Sequence, residues 1–97
     1  MKNKLELART IINEVDVQMA VLFVKRMKAV EQVAEYKREK NLPILDVQRE
    51  SAVIEKNTKL IEEEPLRPYY TEFITNLMSI SRNYQQYLQQ SVESKEL

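Results

Sequence analysis

The chain contains no glycine. Glycine is the residue that most readily takes positive φ, and hairpins, phosphate-cradling loops and dinucleotide-binding turns all draw on it. A sequence of 97 residues without it points to an all-α fold whose helices are joined by few, short connections. The prolines, Pro43, Pro65 and Pro68, mark where those connections fall. The length suffices for one modest domain with a single core.

Cysteine and histidine are also absent. Their absence removes disulfides, thiol nucleophiles, Ser-His-Asp triads and nearly all zinc chemistry. Any activity must come from arginine, lysine, carboxylates, amides and hydroxyls, and neither a metal nor a cofactor is expected. Fifteen basic residues balance fifteen acidic ones, interspersed along the chain, so nucleic acid and anionic membranes are not expected partners. Charges at Glu6, Arg9, Glu14 and Asp16 interrupt any signal-peptide core, and no uncharged run is long enough to span a bilayer. The expectation is a cytoplasmic, single-domain protein.

Leu5, Ala8, Ile12, Val15, Met19 and Leu22 are spaced alternately by three and four, and the pattern resumes at Ala29, Val33 and Tyr36. This is the repeat of a packed helical seam. No breaker intervenes before Asn41-Leu42-Pro43, which predicts a first helix over about 4–40, roughly 55 Å long at 1.5 Å per residue. A compact globule of this length has a radius of gyration of only about 12–13 Å. Two shorter helices cannot cover so long a stripe, so an intertwined homodimer is expected. Asp46 is placed to start a second helix over about 46–63, carrying Val53, Ile54, Leu60 and Ile61 inward. Glu62-Glu63-Glu64 sits badly at the negative end of a helix dipole and predicts fraying there. Pro68 suits the first turn of a third helix over about 68–90, with Tyr70, Phe73, Ile74, Leu77, Met78, Tyr84 and Leu88 on one side. Residues 91–97 read as a loose polar tail.

The informative residues interrupt these stripes. Arg26 falls on the seam between Leu22 and Ala29, where an unpaired buried charge would cost several kcal/mol. Lys37, eleven residues on, is about three turns away on nearly the same face. Arg9 lies roughly 100° around the helix from Arg26, so in a dimer it is placed to point into the partner's site. Asp46, Arg49 and Glu50 lead into Val53 on one face of the second helix. Ser81 and Gln85 lie in line with Ile74, Leu77 and Leu88 on the third.

Each has an ordinary reading. Arg26 suits an ion pair with a neighbouring helix; Arg9 and Lys37 suit the surface with buried stems. Asp46 suits an N-cap, Arg49 and Glu50 an exposed ion-pair network, and Ser81 and Gln85 an interhelical hydrogen bond. Their joint occurrence on the inward faces of three helices favours a cationic pocket for a small polyanion. Arginine's planar fork matches carboxylates, Glu50 suits a ligand hydroxyl, and Gln85 supplies a neutral donor. With no activated nucleophile, the set suits a reaction that needs only positioning and charge stabilisation.

These residues resemble the all-helical chorismate mutases, over Leu5 to Gln85. The resemblance is carried by Leu7-Ala8-Arg9 through Asp16, Leu22-Phe23-Val24-Lys25-Arg26, Val33-Ala34-Glu35-Tyr36-Lys37, Pro43-Ile44-Leu45-Asp46-Val47-Gln48-Arg49-Glu50, and Ser81 with Gln85. It implies a monofunctional enzyme rearranging chorismate, a dicarboxylate, to prephenate on the way to phenylalanine and tyrosine. It also implies roles. Arg26 and Arg9 of the partner subunit would bind the two carboxylates, Lys37 and Gln85 would donate to the ether oxygen, and Glu50 with the Asp46 region would hold the ring hydroxyl. Ser81 would touch a carboxylate, and Arg49 would brace the acidic residues from behind. Two rivals share the pattern: an isochorismate-pyruvate lyase of the same fold, and a non-catalytic helical dimerisation module. Glu50 beside Gln85 favours the mutase over the lyase.

Overall fold

The computed structural model describes the backbone of residues 3–96 and the side chains of residues 3–91. Three helices, α1 (Lys4–Glu39), α2 (Val47–Thr58) and α3 (Arg67–Glu96), are joined by a short connection and by a 3₁₀ turn at Glu64–Leu66. Asn3 caps α1, its side-chain oxygen accepting from the Glu6 amide at 2.9 Å. No breaker occurs in the next 36 residues, and the helix runs uninterrupted.

The far end of α1 shows how a chain without glycine stops a helix. Asn41 takes φ 54°, the left-handed conformation that asparagine tolerates better than most residues. The amide of Leu42 then donates to the Lys37 carbonyl at 2.8 Å and that of Asn41 to the Arg38 carbonyl at 3.3 Å. That pair of bonds is a Schellman closure. Pro43 prevents resumption, and Asp46 restarts helix by accepting from the Arg49 amide at 3.0 Å, the N-cap role its position suggested.

Two boundaries differ from the sequence expectation. The second helix ends at Thr58 rather than near residue 63. The end closes locally, the Leu60 amide donating to the Asn57 carbonyl at 3.0 Å and the Ile61 amide to the Thr58 carbonyl at 3.1 Å; beyond it Arg67 Nε donates to the Ile61 carbonyl at 2.7 Å, and the Thr58 and Thr71 hydroxyls bond at 3.1 Å. The third helix begins at Arg67, with Pro68 in its first turn, and continues to Glu96 rather than stopping near residue 90. Residues 91–96 are therefore helical, not a loose tail. They are polar but hold no proline or glycine to stop the helix; Leu97 lies outside the described residues.

Both α1 and α2 pack on α3, and their backbones do not approach each other directly. The buried apolar set is Val30 and Ala34 from α1 with Ile74 and Met78 from α3, so the core sits beside the C-terminal half of α1. The other half of that helix buries none of its residues. Leu5, Ile12, Val15, Met19 and Leu22 are all exposed, as are Val17, Val21 and Phe23. The molecule extends 61 Å in its longest dimension, with a radius of gyration of 17.5 Å, well above the ~12–13 Å of a globule this size. Among the described residues, no helix is long and apolar enough to cross a membrane.

Candidate functional site

Where α1, the connection after it, the first turns of α2 and the middle of α3 converge, they enclose an open cleft of about 170 Å³. Val30, Val33, Ile44, Val53 and Met78 form its apolar walls. Arg26, Lys37, Asp46, Arg49, Glu50, Ser81 and Gln85 all line it. The sequence-predicted polar residues of one protomer thus converge on a single cleft. Arg9 is not among them; it is exposed on the N-terminal half of α1.

Each side chain is held by a local feature. Arg26 and Lys37, both half-buried, reach the cleft from one face of α1. An Arg26 nitrogen donates to the Ser81 hydroxyl, which in turn donates to the Leu77 carbonyl at 2.9 Å. Arg26 is therefore met by a neutral hydroxyl and not by the acidic partner that its ordinary reading supposed. Lys37 Nζ donates to the Ile44 carbonyl at 2.7 Å, so the connection that ends α1 also aims its ammonium. The N-cap at Asp46 orients the first turn of α2, in which Glu50 donates its backbone amide to the Asp46 carbonyl at 2.9 Å. Ser81 and Gln85 are each only 6% exposed, the buried polar residues that the α3 register implied.

Gln85 stands out energetically. Its Oε1 is buried without a hydrogen-bond partner, and a 180° flip of the amide exchanges that oxygen for the nitrogen. A buried polar oxygen left without a partner is costly. The sequence reading also missed a residue. Arg82 lines the cleft and forms an ion pair with Glu50. It is therefore Arg82, not Arg49, whose guanidinium reaches that carboxylate. The signal was present: Arg82 follows Met78 by four and precedes Gln85 by three, on one helical face. Four basic and two acidic side chains line the cleft in total, leaving a net positive wall.

The Tyr84 hydroxyl donates to Glu31 Oε1 at 2.6 Å, tying α3 to α1. That hydrogen bond holds the Glu31 carboxyl below its usual range, with Lys28 at 3.5 Å contributing. The same bond pushes the Tyr84 phenol above its ordinary value. A second recess, an apolar groove of about 700 Å³, adjoins the cleft at Arg26 and is lined by Met19, Leu22 and Phe23 of α1 and Phe73, Leu77 and Ile80 of α3, among others.

Fold and cleft together define an all-helical domain with a small cationic pocket at the meeting of three helices. Residues 8–86 match the family described as chorismate mutase type II. The chain belongs to that family, which is one of isomerases. It is also 38% identical over 79 residues to a bifunctional chorismate mutase/prephenate dehydratase of Buchnera aphidicola subsp. Schizaphis graminum (strain Sg). That alignment covers 81% of this chain and 20% of the relative, so the chain spans about a fifth of that protein's length. No solved structure matches the chain significantly.

Proposed function

We propose that this chain is a cytoplasmic chorismate mutase that converts chorismate to prephenate in a homodimer with shared active sites. The observation that carries the reading is the cleft, where Arg26, Lys37, Glu50, Ser81 and Gln85 converge from three helices within the residues that match the family. The rearrangement breaks an ether C–O bond as a C–C bond forms within one molecule, and negative charge grows on the departing oxygen. Nothing is transferred to the protein, so the cleft needs only to hold the compact conformer and stabilise that charge.

Arg26, beside Ser81, receives one carboxylate, and Arg9 of the partner subunit receives the other. Lys37 and the Gln85 amide donate to the ether oxygen, and Glu50, near Asp46, accepts from the ring hydroxyl. Arg49 stands behind these residues at the start of α2. A rate acceleration of about 10⁶-fold requires about 8 kcal/mol. Two donors aimed at a developing oxyanion, at about 2.7–4 kcal/mol each, supply most of it, and selection of the reactive conformer supplies the rest.

Two features support the dimer. The cleft's roughly 170 Å³ falls short of the ~300–1,000 Å³ of ordinary ligand pockets, as expected if another chain supplies a wall. The exposed stripe on α1 and the adjoining apolar groove offer a second copy many side chains, each worth about 1.5–3 kcal/mol on full burial. The functional test is parallel incubation of the purified protein with chorismate and with isochorismate. Prephenate formation supports the reading. Pyruvate release from isochorismate without prephenate overturns it in favour of a lyase, and a dimer inert to both favours a structural module.

A further inference from the structure

The ion pair between Arg82 and Glu50 crosses from α3 to α2 inside the cleft. Its two side chains are 32% and 19% exposed, half-withdrawn from water, where a charge pair is screened less than on an open surface. The contact engages one carboxylate oxygen, Oε1. On α2 no residue is fully buried, so packing alone does little to fix the Glu50 side chain. Among the described residues, two side-chain hydrogen bonds tie α2 to α3: this pair near its N-terminus and the Thr58–Thr71 bond at its C-terminus. Only the first lies in the cleft.

We propose that Arg82 is a positioning residue for Glu50. It grips Oε1 and leaves Oε2 aimed into the cleft as the acceptor for a hydroxyl on the bound dicarboxylate. Arg82 acts through Glu50 and does not touch the reacting atoms. It sets the preference for a substrate whose ring carries a hydroxyl at the Glu50 end. This inference rests on the chorismate mutase reading above.

The test is a double-mutant cycle on kcat/KM for chorismate with Arg82→Met and Glu50→Gln, plus Arg82→Lys as the conservative variant. Thr58→Val, which breaks the other α2–α3 link, controls for a merely structural role. Arg82→Met is expected to lower kcat/KM by about 10- to 100-fold, the scale on which misplacing a group affects rate. Arg82→Lys should recover part of that loss, and Thr58→Val should leave kcat/KM near wild type. In the Glu50→Gln background, Arg82→Met should cost less than about threefold, because coupled residues are not additive. Equal losses in both backgrounds, or no loss with the fold and oligomeric state retained, overturn the proposal. Failure of the wild-type protein to turn over chorismate is a separate result that removes the parent reading. The positioning claim then stands or falls on the carboxyl ¹³C resonance of Glu50 at neutral pH. Arg82→Met should shift it, and an unmoved resonance overturns the claim.

Discussion

Replacing Gln85 by methionine should make the empty protein more stable and the enzyme far slower. Gln85 is 6% exposed and its Oε1 is buried with no partner. Leaving such a group unsatisfied costs about 1–3 kcal/mol. Methionine has a similar length and flexibility, fills irregular space well and carries no amide. Two turns from Met78 on the same helix face, it keeps an apolar stem in place and removes the desolvation cost. A stabilisation of about 1–2 kcal/mol is expected. For a chain of this size that corresponds to a rise in Tm of about 4–8 °C per kcal/mol. The comparison must be made at matched protomer concentration, because a dimer's Tm depends on it. In the proposed mechanism the same substitution removes one of two donors to the ether oxygen, and kcat should fall by about 10²–10³-fold. Thermal unfolding and chorismate turnover on one preparation check both halves. A destabilised variant, or one with near-wild-type turnover, refutes the claim that Gln85 is kept at a cost to stability for the sake of the ligand.

Three further outcomes follow from other parts of the structure. Mixed Arg9→Ala and Arg26→Ala chains, each inactive alone, should regain about a quarter of wild-type activity: half the dimers are mixed, and each mixed dimer has one intact site of two. If subunit exchange occurs without any recovery, the cross-subunit role of Arg9 is wrong. Tyr84→Phe should lower stability slightly at neutral pH. Glu31, whose pKa is depressed, contributes above its unfolded value and loses that contribution as pH falls through the folded one. Tyr84, whose pKa is raised, contributes below its unfolded value and loses that contribution as pH rises through the folded one. The gap in urea midpoint between wild type and Tyr84→Phe should therefore begin to narrow as pH falls below the ordinary Glu value of about 4.5 and as it rises above the ordinary Tyr value of about 10; a gap that stays constant along both limbs contradicts the coupling. Asn41→Ala should cost about 1 kcal/mol, since alanine resists left-handed φ, whereas Asn41→Gly should cost nothing. Equal urea midpoints for the two variants would show that the turn does not need that conformation.

How much was legible in the sequence depends on whether local signals or tertiary partners decide. The long first helix was readable because its heptads run unbroken to Asn41, and local rules settle both its ends. Asp46 was readable as a cap for the same reason. The end of α2 was not, because no proline or glycine marks it and the contacts around it, Thr58 with Thr71 and Ile61 with Arg67, join it to another helix. The tail reads as loose from its polarity, yet with no proline or glycine after Gln90 the helix runs on to Glu96. In the cleft, Arg26, Lys37, Glu50, Ser81 and Gln85 could be found because each interrupts an apolar stripe. Arg82 escaped because it stands next to Ser81, at the edge of the stripe, and its partner Glu50 lies on another helix 32 positions away.

The measurement that bears most directly on the central claim is the rate of prephenate formation from chorismate by the purified protein and by Lys37→Ala. Lys37 Nζ lies in the cleft on the Ile44 carbonyl, and the proposed mechanism has it donate to the ether oxygen. The wild type should turn chorismate over robustly and the variant should lose about 10²-fold or more, with helicity and oligomeric state unchanged. Equal rates in the two proteins, or no prephenate from the folded wild type, would contradict the central claim.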